Sequence, residues 1–161
     1  MNRGDSMRTR SSLAVYALTF IAACPHRPAA DTLAPVVSTA RVYYDDGPAF
    51  RDSVRMVVKD ITTWQNVWAQ AMSTQSSPLA LPSVDFGRDM ILVVGGGRLT
   101  PGDQIHVDSA GTRGGYFVAV VRTIVQCRPF PADAYPTEIV KVKRSDRPAA
   151  FSERRERATN C

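Results

Sequence analysis

Met90-Ile91-Leu92-Val93-Val94 is an unbroken run of apolar side chains, closed at once by Gly95-Gly96-Gly97. Successive side chains of a strand point to opposite faces. A run with no polar member therefore predicts a central strand buried on both faces, and its length is that of a strand rather than a helix. A glycine-rich turn after a buried strand also suits a phosphate loop. No Gly-Lys-Ser/Thr follows, however, and Arg98-Leu99-Thr100-Pro101-Gly102 does not open a helix, so nucleotide binding is not expected.

Upstream of that strand the period changes. Trp64, Val67, Trp68, Ala71 and Met72 fall at helical spacing, and Thr62 with Gln65 fits a capping box. The two tryptophans share one face, which reads as core; an aromatic ligand-stacking platform is the functional alternative. Before the helix, Ala40-Arg41-Val42-Tyr43-Tyr44 and the segment Ser53 to Lys59 read as strands around the turn Asp45-Asp46-Gly47-Pro48. Downstream, Asp103 to Ser109 alternates, with Ile105 and Val107 on one face and Gln104, His106 and Asp108 on the other. A Gly111 to Gly115 turn leads to a long strand, Tyr116 to Gln126, and Glu138 to Lys143 alternates again. The order is strand, strand, helix and four strands. It predicts an α+β fold in which a single mostly antiparallel sheet carries one amphipathic helix packed on it.

The N-terminus reads as an export signal. A basic region with Arg3, Arg8 and Arg10 precedes an apolar stretch from Leu13 to Ala23, whose 11 residues are too few to span a bilayer. Met7 would also open a basic start. Ile21-Ala22-Ala23-Cys24 then looks like a lipobox, which implies acylation of Cys24 and a membrane anchor through the N-terminal lipid. Pro25 is not an acidic retention signal, so the expected location is the bacterial cell membrane or outer membrane, with outer-membrane placement favoured. The Pro/Ala-rich stretch that follows, with His26, reads as a tether. The expected organisation is thus a signal peptide at 1–23, a lipidated Cys and tether at 24–37, and an α+β domain at 38–161.

In an oxidising compartment the two remaining cysteines, Cys127 and Cys161, are expected to pair as a disulfide that pins an otherwise polar C-terminal tail. The whole chain of 161 residues carries a formal charge of +5, and its 44% hydrophobic content rules out wholesale disorder and a multi-span membrane protein. The basic excess lies from Lys141 to Cys161, where seven bases face three acids. Export argues against nucleic acid as their partner, which leaves a solvated face, anionic headgroups or an acidic partner.

Chemistry is scarce. No Gly-x-Ser-x-Gly or Ser-x-x-Lys motif occurs, the domain has His106 alone, and no metal-ligand spacing appears. Asp85, Asp89, Asp103 and Asp108 are the candidate carboxylates, with nothing in their spacing to set them apart from turn residues. No catalytic residue, metal or cofactor is expected.

From Trp64 to about Phe151 the chain resembles the PrcB-like family, whose C-terminal domain takes its name from a protease-complex subunit. The resemblance rests on Trp64-x-x-x-Trp68, on Pro82-Ser83-Val84-Asp85-Phe86 leading into Met90 to Val94, and on Tyr135-Pro136-Thr137-Glu138-Ile139-Val140. Where that family commonly has a Gly-Gly-Tyr-type turn before the next strand, this chain has Thr100-Pro101-Gly102-Asp103-Gln104-Ile105. The resemblance implies a non-enzymatic lipoprotein that assembles with or stabilises an exported protease. The alternative is a cell-envelope module that binds a small ligand or glycan through Tyr43, Tyr44, Tyr116 and Tyr135.

Overall fold

A computed structural model describes residues 32–35, 40–128 and 130–159. Its strands are β1 (Ala34–Pro35), β2 (Arg41–Asp45), β3 (Ser53–Val58), β4 (Asp89–Gly96), β5 (Gln104–Arg113), β6 (Tyr116–Val125), β7 (Thr137–Lys143) and β8 (Ala149–Arg157), with one helix, α1 (Ile61–Met72). They form two four-stranded sheets rather than one. The central sheet has the order β2-β7-β4-β3 and the outer sheet β1-β5-β6-β8. Strand accounts for 48% and helix for 11% of the described residues, so the expected α+β single sheet gives way to a mostly-β architecture of three layers.

The apolar run of β4 explains why. Ile91 and Val93 face α1, where Trp64, Val67, Trp68, Ala71 and Met72 pack on them together with Val58 and Ile139. Met90, Leu92 and Val94 face the other way, against Ile105, Val107, Phe117 and Val121 of the outer sheet. One helix can cover only one face. The second apolar face therefore needed a second sheet, drawn from strands that sequence reading had placed beside β4. The half-buried alternation of β5 and β6 follows from the same arrangement, since their apolar sides meet the central sheet and their polar sides are in large part exposed, His106 being half-buried against Tyr44.

Both tryptophans are core residues, Trp64 0% and Trp68 5% exposed. Their indole N–H groups donate to the carbonyls of Pro82 and Leu79, which pulls the loop after α1 along the helix. The helix begins two residues earlier than the Thr62/Gln65 box implied: Asp60 is the N-cap, accepting from the Thr63 N–H at 2.8 Å and from its hydroxyl. The turn before β6 is also tighter than expected. Gly114 and Gly115, both at positive φ, form a two-residue hairpin loop between Arg113 and Tyr116.

Two strands lie where none was expected. Residues 34–35, inside the expected tether, pair with β5 through Ala34↔Ala110 and Pro35↔Ser109. At the other end, the polar stretch expected as a tail forms β8, which pairs in parallel with β6 over nine residues from Phe117↔Ala149 to Val125↔Arg157. Its run of charges is compatible with a strand because β8 is an edge, wetted along one side.

Candidate functional site

The two open sides of the sandwich are each closed by a carboxylate. On one side Glu138 of β7 reaches the outer sheet. Its Oε2 accepts the Val107 N–H at 2.6 Å and its Oε1 accepts from Arg41 Nε at 2.7 Å, with His106 Nδ1 at 3.4 Å. The register of β5 shifts between Val107 and Ser109, so the local ladder is irregular at the amide that Glu138 takes up. Burial alone would push the Glu138 carboxyl up, but the bonds from His106, the Val107 amide and Arg41 outweigh it and hold the carboxyl below its ordinary range. Tyr44 stacks on the His106 ring at 5.6 Å and lies under the Arg41 guanidinium. Its hydroxyl is buried, and burial followed by the nearby Asp46 carboxylate pushes the phenol well above its ordinary range, so it stays protonated. On the opposite side Arg55 of β3 grips Glu153 of β8 with two bonds of 2.7 and 3.0 Å, while also donating to the Val54 and Gly95 carbonyls.

The His106 cluster is organised for cohesion. His106 Nε2 lies 3.1 Å from Gln104 Oε1 and Nδ1 faces Glu138, so both ring nitrogens are engaged within the cluster. Among the described residues no serine, threonine or cysteine is hydrogen-bonded to the imidazole, and no three His, Cys, Asp or Glu side chains could hold a metal ion together. The four candidate carboxylates do not converge. Asp85 caps its own loop at the Gly87 N–H, Asp89 pairs with Lys143, and Asp108 pairs with Arg122. Asp103 is buried and accepts from Thr100 and from the Gln126 N–H. The four tyrosines are likewise dispersed. Tyr43 packs edge-on against Trp68 on the helix side, Tyr44 lies on the other side of the same sheet, Tyr116 stands exposed at the hairpin, and Arg51 covers Tyr135.

A cleft of about 890 Å³ lies at the end of the sandwich where the outer sheet extends past the central one. The central sheet ends at Gly96, whereas β6 and β8 run on to Val125 and Arg157. The floor is Val125, Gln126 and Cys127, and one wall is Arg98 to Thr100. Alternation along β8 places Arg155 and Arg157 on the same face as Glu153, overhanging the cleft that they line. Phe130, 62% exposed, forms part of the rim. Arg98 is paired with Asp133 at 2.8 Å. Among the described residues Arg155 and Arg157 have no ion-pair partner, because Glu153 is held by Arg55 and Glu156 by Arg154 and Arg122. The basic C-terminus is legible in the sequence, whereas this cleft is not. The only available signal was the i, i+2 spacing of two arginines in a segment not recognised as a strand.

Cys24 and Cys161 lie outside the described residues. Cys127 lies two residues beyond the end of β6, and the parallel partner strand brings the segment up to Thr159 alongside it. The Ala158 N–H donates to the Val125 carbonyl at 2.9 Å, and the Ala158 carbonyl oxygen lies 3.8 Å from Cys127 Sγ. No helix among the described residues is long and apolar enough to cross a membrane. Comparison of the chain with protein-family models, with curated proteins and with solved structures finds no match.

Proposed function

We propose that this chain is a membrane-anchored, non-enzymatic accessory lipoprotein of the bacterial cell envelope, held by acylated Cys24 and acting by binding another exported protein. The observation that carries this reading is the free edge of the outer sheet. Strand β8 is nine residues long and, among the described residues, pairs only with β6, so its far side presents backbone donors and acceptors for pairing beside an open cleft. Such an edge is a ready template for strand addition by a partner. Its run of Arg and Glu side chains guards against indiscriminate pairing. The resemblance to the PrcB-like family supports an exported protease as that partner. The glycan-binding alternative draws no support from the geometry, since its four tyrosines point in different directions.

Two measurements test the proposal. Metabolic labelling with a fatty-acid analogue should tag the wild type and spare Cys24→Ser; equal labelling of both ends the anchor. Capture from detergent-solubilised membranes, with the native anchor in place, should retain a stoichiometric exported protein. Its consistent absence under crosslinking would end the accessory reading.

A further inference from the structure

We infer that the cleft beneath β8 binds an acidic, extended segment of a protein partner. The inference deepens the accessory reading and rests on it. Arg155 and Arg157 are two residues apart on one face of a strand, so their side chains leave the backbone about 6.7 Å apart, from the rise per residue. That is also the spacing of alternate side chains on an extended peptide. A segment with Asp or Glu at every second position would set successive carboxylates against successive guanidiniums, whose planar fork suits bidentate carboxylate binding. The charge is available, because the glutamates of β8 are already committed to Arg55, Arg122 and Arg154. Phe130 on the rim offers an apolar contact to an intervening side chain. The free edge of β8 lies alongside to pair with the backbone of the same segment.

An anionic lipid headgroup is the competing occupant, and its position disfavours it. The chain arrives from its N-terminus at Thr32, whose N–H donates to the Thr112 carbonyl at the far end of β5. The cleft lies at the Gln104 end of that strand, about 27 Å away by the antiparallel rise. An anchor at Cys24 therefore enters the domain on the end opposite the arginines.

Fluorescence anisotropy of the full-length lipidated chain in detergent tests the assignment. The probe is a fluorescein-labelled nine-residue peptide with Glu at alternate positions and Thr between, and the control carries Gln for each Glu. The acidic peptide should bind and the control should not. Arg155→Glu with Arg157→Glu should weaken binding at least about tenfold, and the gentler pair Arg155→Gln with Arg157→Gln should weaken it in the same direction with an unchanged melting curve. Arg154→Glu, the same change of charge on the opposite face of β8, should stay within about twofold. Equal weakening by Arg154→Glu would reduce the effect to general basicity and overturn the site. Cleft-dependent binding to phosphatidylglycerol vesicles without peptide binding would overturn it in favour of a headgroup. If the Arg155/Arg157 reversal still captures the same membrane partner, the accessory reading stands and this inference falls. If the peptide binds but no protein ever co-purifies, the cleft's chemistry stands and the accessory reading falls.

Discussion

Replacing Glu138 with Ala should remove about 3 kcal/mol of stability, without touching either hydrophobic layer. The largest part is the Val107 N–H, which loses its 2.6 Å acceptor inside the protein; a buried amide left without a partner costs about 1–3 kcal/mol. Arg41 contributes little, since its side chain is 43% exposed and can return to water, which limits its pair to at most about 1 kcal/mol. The emptied space adds about a further kcal/mol, as for other small buried truncations. Urea titration at pH 7, followed by the fluorescence of buried Trp64 and Trp68, should show a lower midpoint at constant slope. Lowering the pH adds a second reading. Because the folded carboxyl titrates below its unfolded counterpart, the native state binds fewer protons than the unfolded state in the window between them. Its contribution is fully present above about pH 5 and is lost as pH falls through the folded value. Glu138→Gln should therefore flatten the acid limb of the stability profile. A loss under about 1 kcal/mol in the Ala variant, together with identical acid limbs, would refute the idea that this carboxylate joins the two sheets.

Other substitutions probe separate links. Trp68→Ala should cost about 3–5 kcal/mol by chemical denaturation, because the indole is buried and its N–H holds the loop carbonyl of Leu79; retention of full stability would place it on the surface. Asp60→Ala should cost about 1 kcal/mol by removing the N-cap of α1, whereas Thr62→Ala should be nearly neutral in the same assay. Gly111→Val should release residues 32–35 from β5, since a Cβ there would meet the Thr32 carbonyl oxygen and the Leu33 Cα; faster proteolytic cleavage near Thr32, with the core melting transition kept, is the expected signature. We propose that Cys127 pairs with Cys161, closing a loop of 35 residues. Chain entropy then gives about 3.8 kcal/mol, so reduction should lower the melting temperature of the wild type and leave Cys127→Ser unchanged.

The helix and six of the eight strands were readable because each carries a periodicity that depends only on its own residues. Trp64, Val67, Trp68, Ala71 and Met72 occupy the buried stripe that their spacing predicts. Partition of strands between sheets was not readable, because antiparallel neighbours in one layer and facing strands in two layers show the same local pattern. The decisive clue was present in Met90 to Val94, whose two apolar faces demand two covers. The shortest strand, at residues 34–35, and the polar β8 lack any apolar alternation, since each owes its conformation to pairing with a stronger neighbour. In the sequence Glu138 reads as one member of an alternating strand and of the Tyr135 to Val140 motif. Nothing local distinguishes a carboxylate that reaches across a sandwich from one that faces water; its partners, Arg41 and Val107, are far away in sequence.

The pairing of β2 with β7 bears on how the chain acquires its shape. Arg41 lies opposite Val140, so the layer at the middle of the molecule takes one strand from near the start of the domain and another from near its end. That layer stays incomplete until nearly the whole domain is available, and β8 can then be laid only against a β6 that is already in place. Such remote partners make loop closure the dominant barrier, which places refolding in the millisecond-to-second range typical of β-sandwiches. A polypeptide that emerges from a translocation pore N-terminus first would therefore remain open until its last forty residues had crossed, about a quarter of its length, and would be in greatest need of protection while the apolar strand β4 waited for both of its covers.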